Sequence, residues 1–343
     1  MPDSPIIAID AMGGDFGPEV TVAAAVRILK QHKNVNLILV GIEDQIRECL
    51  SKQNLPNLER ITVQHASEIV QMDEAPSQAL RKKKDSSMRV AINLVYEGRA
   101  NAVVSAGNTG ALMATAKFVL KTLPGIDRPA IMTTLPNTVG HTHMLDLGAN
   151  VDSSADHLFQ FAVMGSVTAS AVDNVENPRV GLLNVGSEAM KGNAQVKAAE
   201  PLLQNSNLNY IGFVEGDDIY NGSVDVVVCD GFVGNISLKS AEGVAKMISH
   251  FMREEFKRNL LNRLIGLIAL PVLKAFKKRV DHRRYNGASL LGLKDIVIKS
   301  HGGTDAYGFS KAIEVAILEV EKSVPQQIDS HLEAMLETTD ASI

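Results

Sequence analysis

With 343 residues, 45% of them hydrophobic, the chain is long enough to bury a substantial core and is globular rather than disordered. Two cysteines, Cys49 and Cys229, are too few for a disulfide framework and form no metal or redox motif. The net charge of −5 is unevenly spread: Arg253 to Arg284 holds ten Lys or Arg against three acids, a local +7 that leaves −12 for the remainder.

Met1 leads almost directly into PIIAID without a basic leader or cleavage site, which predicts a cytoplasmic protein. Strand-like runs then alternate with helical stretches. Ile6 to Asp10 precedes a helix over Pro18 to His32, and Leu37 to Gly41 precedes one over Glu43 to Gln53. Ile61 to Ala66, Ala102 to Gly107 with its helix through Leu123, Ala130 to Pro136, and Met144 to Gly148 continue the series. Ser153 to Val172 is a long helix, followed by strands at Val180 to Gly186, Tyr210 to Gly216 and within Val224 to Asp230. This rhythm predicts an α/β fold: a three-layer αβα arrangement with a mostly parallel sheet. No linker interrupts it, so residues 1–343 are read as one domain with an inserted basic helical arm over 254–286.

Small and polar residues gather where strands end: Ala11 to Pro18, Ser105 to Ala111, Asp146 to Ser154, Asn184 to Asn193, Asp230 to Asn235 and Ser300 to Ala306. In a parallel sheet such ends share one edge, which predicts a single phosphate- or acyl-handling cleft lined by glycines, amides and carboxylates. In VDVVVCDGFVGN, Gly231 and Gly234 allow a tight turn from strand to helix, and Asp230 and Asn235 stand beside it. Neither a G-x-G-x-x-G after a strand nor a G-x-x-x-x-G-K-[ST] occurs, so hydride transfer and ATP hydrolysis lose ground.

Lys191, in GSEAMKG, is the cation embedded in a glycine turn; it either neutralises a phosphate or oxyanion, or is a solvated lysine at a helix start. Asn235 either donates to the same oxyanion or caps its helix. Asp10, Asp146 and Asp230 either orient donors in the pocket or hold turn N–H groups. His301 is a candidate general acid. His141 and His143 are neighbours on one strand face, but no third ligand is in view and no metal is expected. Arg81, Lys82, Lys83 and Lys84 form either a solvated face or a docking patch for an acidic partner protein.

The arm reads LLNRLIGLIALPVL from Leu260 to Leu273 between basic shoulders. Its uncharged run is too short to span a bilayer, and Pro271 suits the first turn of a second helix. An apolar apex of Leu260, Leu261, Leu264, Ile265, Leu267 and Ile268, with Lys274, Lys277 and Lys278 beside it, fits shallow insertion into an anionic membrane surface. A dimer interface or an internal helix pair is the alternative. The exposed aliphatics argue against nucleic acid.

IAIDAMGGDFGPE, MDEAPSQALRKKKDSSM, SAGNTGALM, LDLGAN, VGLLNVGSEAMKGN, GFVEGDDIYNGSVDVVVCDGFVGN and RRYNGASLLG together resemble the PlsX family, the phosphate acyltransferases of bacterial phospholipid synthesis. The resemblance runs in order from Ile6 to about Ile317. It implies transfer of an acyl group from acyl carrier protein to inorganic phosphate, giving acyl phosphate. It also implies an isocitrate/isopropylmalate dehydrogenase-like fold, a homodimer, peripheral membrane attachment near the next acyltransferase, and neither metal nor organic cofactor. Carried over by motif, Lys191 and Asn235 are the catalytic candidates. Asp10, Gly13, Gly14, Asn108, Thr109, Asp146, Asn150, Gly186, Ser187, Glu188, Asp230, Gly231, Gly234 and His301 are the substrate-binding ones. Two positions depart from the pattern: Ser289 stands where proline is expected, and Gly303 and Thr304 where two serines are commoner. The rival readings are a transacylase acting on coenzyme A thioesters and a membrane-docked scaffold without turnover.

Overall fold

A computed structural model describes residues 4–53 and 59–340. Among the described residues eleven strands are formed: β1 (Ile6–Asp10), β2 (Asn36–Gly41), β3 (Ile61–His65), β4 (Ala102–Ser105), β5 (Ala130–Pro136), β6 (His141–Leu145), β7 (Val180–Leu183), β8 (Tyr210–Val214), β9 (Val226–Val228), β10 (Ala288–Leu291) and β11 (Ile296–Lys299). The helices are α1 (Pro18–Gln31), α2 (Glu43–Ser51), α3 (Pro76–Lys82), α4 (Ser87–Tyr96), α5 (Thr109–Leu120), α6 (Ala155–Asp173), α7 (Ala194–Gln204), α8 (Asp218–Asn221), α9 (Gly231–Lys257), α10 (Leu260–Val280), α11 (Ala306–Lys322) and α12 (Val324–Asp340).

All the strands join one sheet in the order β3-β2-β1-β4-β11-β10-β5-β6-β9-β7-β8. Successive side chains of a strand point to opposite faces. Accordingly Ile7 and Ile9 of β1 pack with α1, α2 and α11, while Ala8 packs with α4 and α5. A third apolar cluster joins α6, α7 and α12 to the far half of the sheet. Helices thus cover both faces, and the β-branched runs that read as buried strands are buried.

The sheet is mixed, and the mixing matters. β3, β2, β1, β4 and β11 are mutually parallel, as are β6, β9, β7 and β8. Between them β11–β10, β10–β5 and β5–β6 are antiparallel. Three reversals leave the second group running opposite to the first. The six glycine turns therefore do not share one edge, as expected from an all-parallel sheet. Those after β1, β4 and β11 lie on one edge, and those after β6, β7 and β9 on the other.

The arm also differs from expectation. α9 begins far earlier than residue 254, and the bend falls at Arg258–Asn259, where the Asn259 side chain accepts the Asn262 N–H at 2.8 Å and caps α10. Pro271 sits inside α10 rather than at a helix start. An interior proline costs about 3 kcal/mol, so it is the asparagine cap, not the proline, that sets the start.

Ser289 has a partner that proline could not have. Its Oγ donates to Glu319 Oε2 at 3.1 Å, beside a small hollow between β10, α11 and α12. Burial raises Glu319 from 4.5 to about 8, only partly offset by the Ser289 hydroxyl. The folded chain holds this proton and the unfolded chain releases it. Stability from neutral Glu319 is therefore complete below the ordinary glutamate value and falls as pH rises to about 8, by at most about 1.4 kcal/mol per pH unit. Denaturant midpoints compared at about pH 5.5 and about pH 8.5 should show this fall, and Glu319→Gln should flatten it. An unchanged slope in the variant would assign the dependence to other groups.

Candidate functional site

On the first edge, the end of β1 is built around a buried carboxylate. Asp10 accepts hydrogen bonds from Ser87 Oγ and Ser105 Oγ, both at 2.6 Å, and is 1% exposed. Burial raises its pKa, and the serine hydroxyls pull against that shift. The turn folds back over it so closely that a Cβ on Gly13 would lie 2.6 Å from Asp10 Oδ2. Gly14, at φ 89°, lies against Ala106 and the Gly302 carbonyl, and the Asp15 N–H donates to that carbonyl at 3.0 Å. The turns after β1, β4 and β11 are thereby packed together, with a small hollow beside Gly13, Phe16 and Gly302.

Asn108 is committed to the frame. Its Oδ1 accepts the Ala111 N–H at 3.0 Å, capping α5, and its Nδ2 donates to the carbonyls of Met72 and Glu74 at 2.8 and 3.0 Å. Thr109 follows it, exposed, in the first turn of α5. His301 is exposed at the end of β11, and its Nδ1 accepts the Gly303 N–H at 3.2 Å, so the neutral ring carries its proton on Nε2.

On the second edge a second carboxylate plays the same part. Asp146 is fully buried, and its oxygens accept the N–H groups of Ile131 (2.9 Å), Ala149 (3.1 Å) and Asn150 (2.7 Å) and the Asn150 amide (3.0 Å). Burial raises its pKa against these bonds. Asp230 caps α9 by accepting the Val233 N–H at 2.9 Å. Cβ atoms on Gly231 and Gly234 would stand 2.5 Å from the Asn150 carbonyl and 1.9 Å from the Asp146 carbonyl, so only glycine lets α9 start this close. Asn235 is exposed against Gly148 and does not cap the helix, since Asp230 does.

Of the two roles open to Asp10, Asp146 and Asp230, each performs the turn-holding one, and Asn108 and Asn150 also bond within the fold. Lys191 is exposed and pairs with Glu188 at 2.7 Å, a contact that raises its pKa, while Gly186 leaves room for the lysine stem. Ser187 is exposed beside them. In the basic run Lys83 is a strap, bonded to the Ile69 carbonyl at 2.5 Å and to Glu74 at 2.9 Å. Only Arg81, Lys82 and Lys84 are exposed.

Helix α9 connects the two edges. It starts at Asp230 on the second, and Lys239, nine residues and about 13 Å further on, is near enough to Lys299 on the first to oppose its charge. Leu238 packs against the core between them. Lys299, the last residue of β11, was not singled out in the sequence. Burial pushes it down to about 8, and Asp10 and Asp15 only partly restore it. Its signal was a lysine closing the apolar run IVIK directly before a glycine turn. Lys239, paired with Glu242 at 3.2 Å, was likewise missed. The arrangement brings together the ammonium of Lys239 within α9, the Lys299 ammonium, which also donates to the Ala106 and Ser300 carbonyls, and the Asn235 amide in the first turn of α9.

The side chains of His141, His143 and Asp173 lie together elsewhere, at the start of β6. Asp173 is a third polar group beside the two histidines, one that the sequence spacing could not supply.

Two relatives are 62% identical to this chain: a phosphate acyltransferase of Nitrosococcus oceani over 96% of the chain and 97% of its own length, and one of Alkalilimnicola ehrlichii over 98% of each. Among solved structures, a phosphotransacetylase from Streptococcus pyogenes superposes with a TM-score of 0.64 at 18% identity, covering 94% of this chain and 95% of its own, which places the fold. A family model described as fatty acid synthesis protein matches residues 6–327. The chain belongs to the fatty acid synthesis protein family across nearly its whole length.

Proposed function

We propose that this phosphate acyltransferase takes a long-chain acyl group from the thioester of an acyl carrier protein and passes it to inorganic phosphate, releasing the carrier thiol and acyl phosphate. The observation that carries the reading is the pair of glycine-turn edges joined by α9, which sets Asn235 against Gly148 and Lys239 near Lys299. Lys299 and Lys239 are suited to hold the phosphate, which is already nucleophilic at neutral pH and needs no activated side chain. Its oxygen attacks the thioester carbonyl, and the Asn235 amide and Lys191 ammonium stabilise the oxyanion. The C–S bond then breaks. A thiolate is a good enough leaving group for His301 Nε2–H to give only modest help.

The exposed cations Arg81, Lys82 and Lys84 suit an acidic carrier. The arm supports two uses along its length. Apolar residues at helical spacing on α9, namely Val244, Met247, Ile248 and Phe251, are each about half exposed and suit a second copy of the chain. At the tip, Leu260, Leu261, Leu264, Ile265, Leu267 and Ile268 are exposed beside Lys274 and Lys278 and suit an anionic bilayer; the side chain of Lys277 lies outside the described residues. No helix among the described residues is long and apolar enough to cross a membrane, so the attachment would be peripheral, beside the next acyltransferase.

Purified protein given palmitoyl-carrier protein and phosphate should release carrier thiol only with phosphate present, and hydroxylamine should trap the acyl product. Asn235→Ala should lower kcat by about 10²- to 10³-fold, as for loss of one oxyanion donor, and Lys191→Ala should abolish measurable release in a folded variant. Preference for a matched coenzyme A thioester would overturn the donor assignment. The Lys299 ammonium is lost as pH rises through about 8, so the KM for phosphate should climb there, and Lys299→Gln should raise KM throughout and remove the climb. Replacing Leu264, Leu267 and Ile268 with glutamate should release the protein from anionic vesicles while leaving turnover of soluble thioester intact. Retained vesicle binding would remove the tip from the membrane contact.

A further inference from the structure

The β5–β6 hairpin holds a group of side chains that the acyl-transfer chemistry does not use. His141 and His143 alternate on β6 and so project to the same face, and α6 ends at Asp173 beside them. The Nε2 atoms of both rings converge on one carboxylate oxygen: Asp173 Oδ2 is 3.0 Å from His141 and 2.7 Å from His143. The three ligating atoms lie within 4.8 Å of one another.

We propose that His141, His143 and Asp173 form a binding site for a transition-metal dication of the zinc type. Zinc bonds imidazole nitrogen and carboxylate oxygen at about 2.0–2.2 Å, which in a tetrahedron separates ligand atoms by about 3.3 Å. The two separations from Asp173 Oδ2 need widen by only a few tenths of an ångström, while the two imidazole nitrogens, within 4.8 Å of each other, settle to the same spacing. Each Nε2 must then present its lone pair to the metal, which moves the ring proton to Nδ1. For His143 an acceptor stands ready, since Thr134 Oγ1 is 3.2 Å from Nδ1 across the β5–β6 pairing. Such an outer partner fixes the tautomer and orientation of a ligating ring.

The support is rigid. The hairpin turn is tied by Asn137 Oδ1, which accepts the N–H groups of Val139 and Gly140 at 3.0 and 2.6 Å. Asp225, the other carboxylate that acts on His141, is taken by Arg179, whose Nε and Nη2 donate to it at 3.0 and 2.8 Å. The His143 side chain is 4% exposed and that of His141 35%, so an ion would be reached from the His141 side and have room for water there. Two imidazoles and one carboxylate favour zinc, copper, nickel or cobalt over magnesium or calcium. The site stands at the start of β6, at the far end of that strand from Asp146 and three strands across the sheet from Lys299 on β11, so a bound ion would clamp α6 to the hairpin rather than enter the acyl transfer.

The test uses the full chain, stripped with chelator and titrated with zinc. One zinc per chain should bind saturably and raise Tm, and X-ray absorption of the bound zinc should show two imidazole nitrogens and no sulfur. Thr134→Val should weaken zinc about tenfold or more, the range for loss of an outer partner, and His141→Gln and Asp173→Asn should weaken it further. Absence of saturable binding, sulfur in the coordination shell, or affinity unchanged in His141→Gln and Asp173→Asn would overturn the site. If the variants fail to fold, the absorption spectrum of the unaltered protein decides.

Discussion

Gly234 against the carbonyl of Asp146 is the contact on which the rest of the site depends. A Cβ there would stand 1.9 Å from the oxygen, far inside any allowed approach, and a shift large enough to relieve it would lift the helix off the sheet. With no side chain in the way, α9 starts directly on the end of β6. The Asp146 carboxylate turns inward at the same point and gathers N–H groups from β5 and the following loop. Strand ends, loop and helix start are one unit, and the direction of α9 follows from it. That direction sets Asn235 beside Gly148 and carries Lys239 toward Lys299 on the opposite edge.

The electrostatics follow from the same geometry. Lys299 is mostly removed from water, and the cost of desolvating its ammonium exceeds what Asp10 and Asp15 return. Asp10 is itself held back by burial and spends its hydrogen-bonding capacity on Ser87 and Ser105. Lys239 on α9 adds repulsion. The local positive charge is therefore incompletely neutralised by the protein, and a phosphate dianion entering there would complete the pairing. Around so buried an ammonium this attraction is several times stronger than in water.

Much of this was legible in the chain. The burial of β1, β4 and β9 was written in their apolar runs, and the tight start of α9 in its two glycines. The edge assignment was not legible, because it turns on β10 and β11, two four-residue strands placed last in the chain yet paired in mid-sheet. Strand direction is a long-range property, and nothing local in ASLL or IVIK records it. The roles of the acidic residues were undecided in sequence for a related reason. An aspartate at a strand end reads the same whether it faces a ligand or, as Asp10 and Asp146 do, the interior. Pro271 misled because an isolated proline usually marks a helix start, whereas a well-capped 21-residue helix absorbs one missing hydrogen bond. The His141, His143 and Asp173 cluster was invisible because its third member is thirty residues from its second.

The absence of a covalent step in the proposed reaction can be argued from where the potential nucleophiles went. Ser87 and Ser105 reach the first edge but donate their hydroxyl hydrogens to Asp10, a buried carboxyl that burial makes reluctant to ionise. Cys229 reaches the second edge but is buried, its thiol pushed well above the ordinary value by burial and the neighbouring carboxylates Asp146 and Asp230. Its Sγ lies 3.5 Å from the Asp146 carbonyl, on the protein side of the turn. A thiol held in that form is a poor nucleophile. These three groups are spent on shaping the strand ends, and in the proposed reaction the attacking atom is supplied by the phosphate itself. The fold's contribution is then position and charge: two edges of rigid turns, and one helix that keeps them in register.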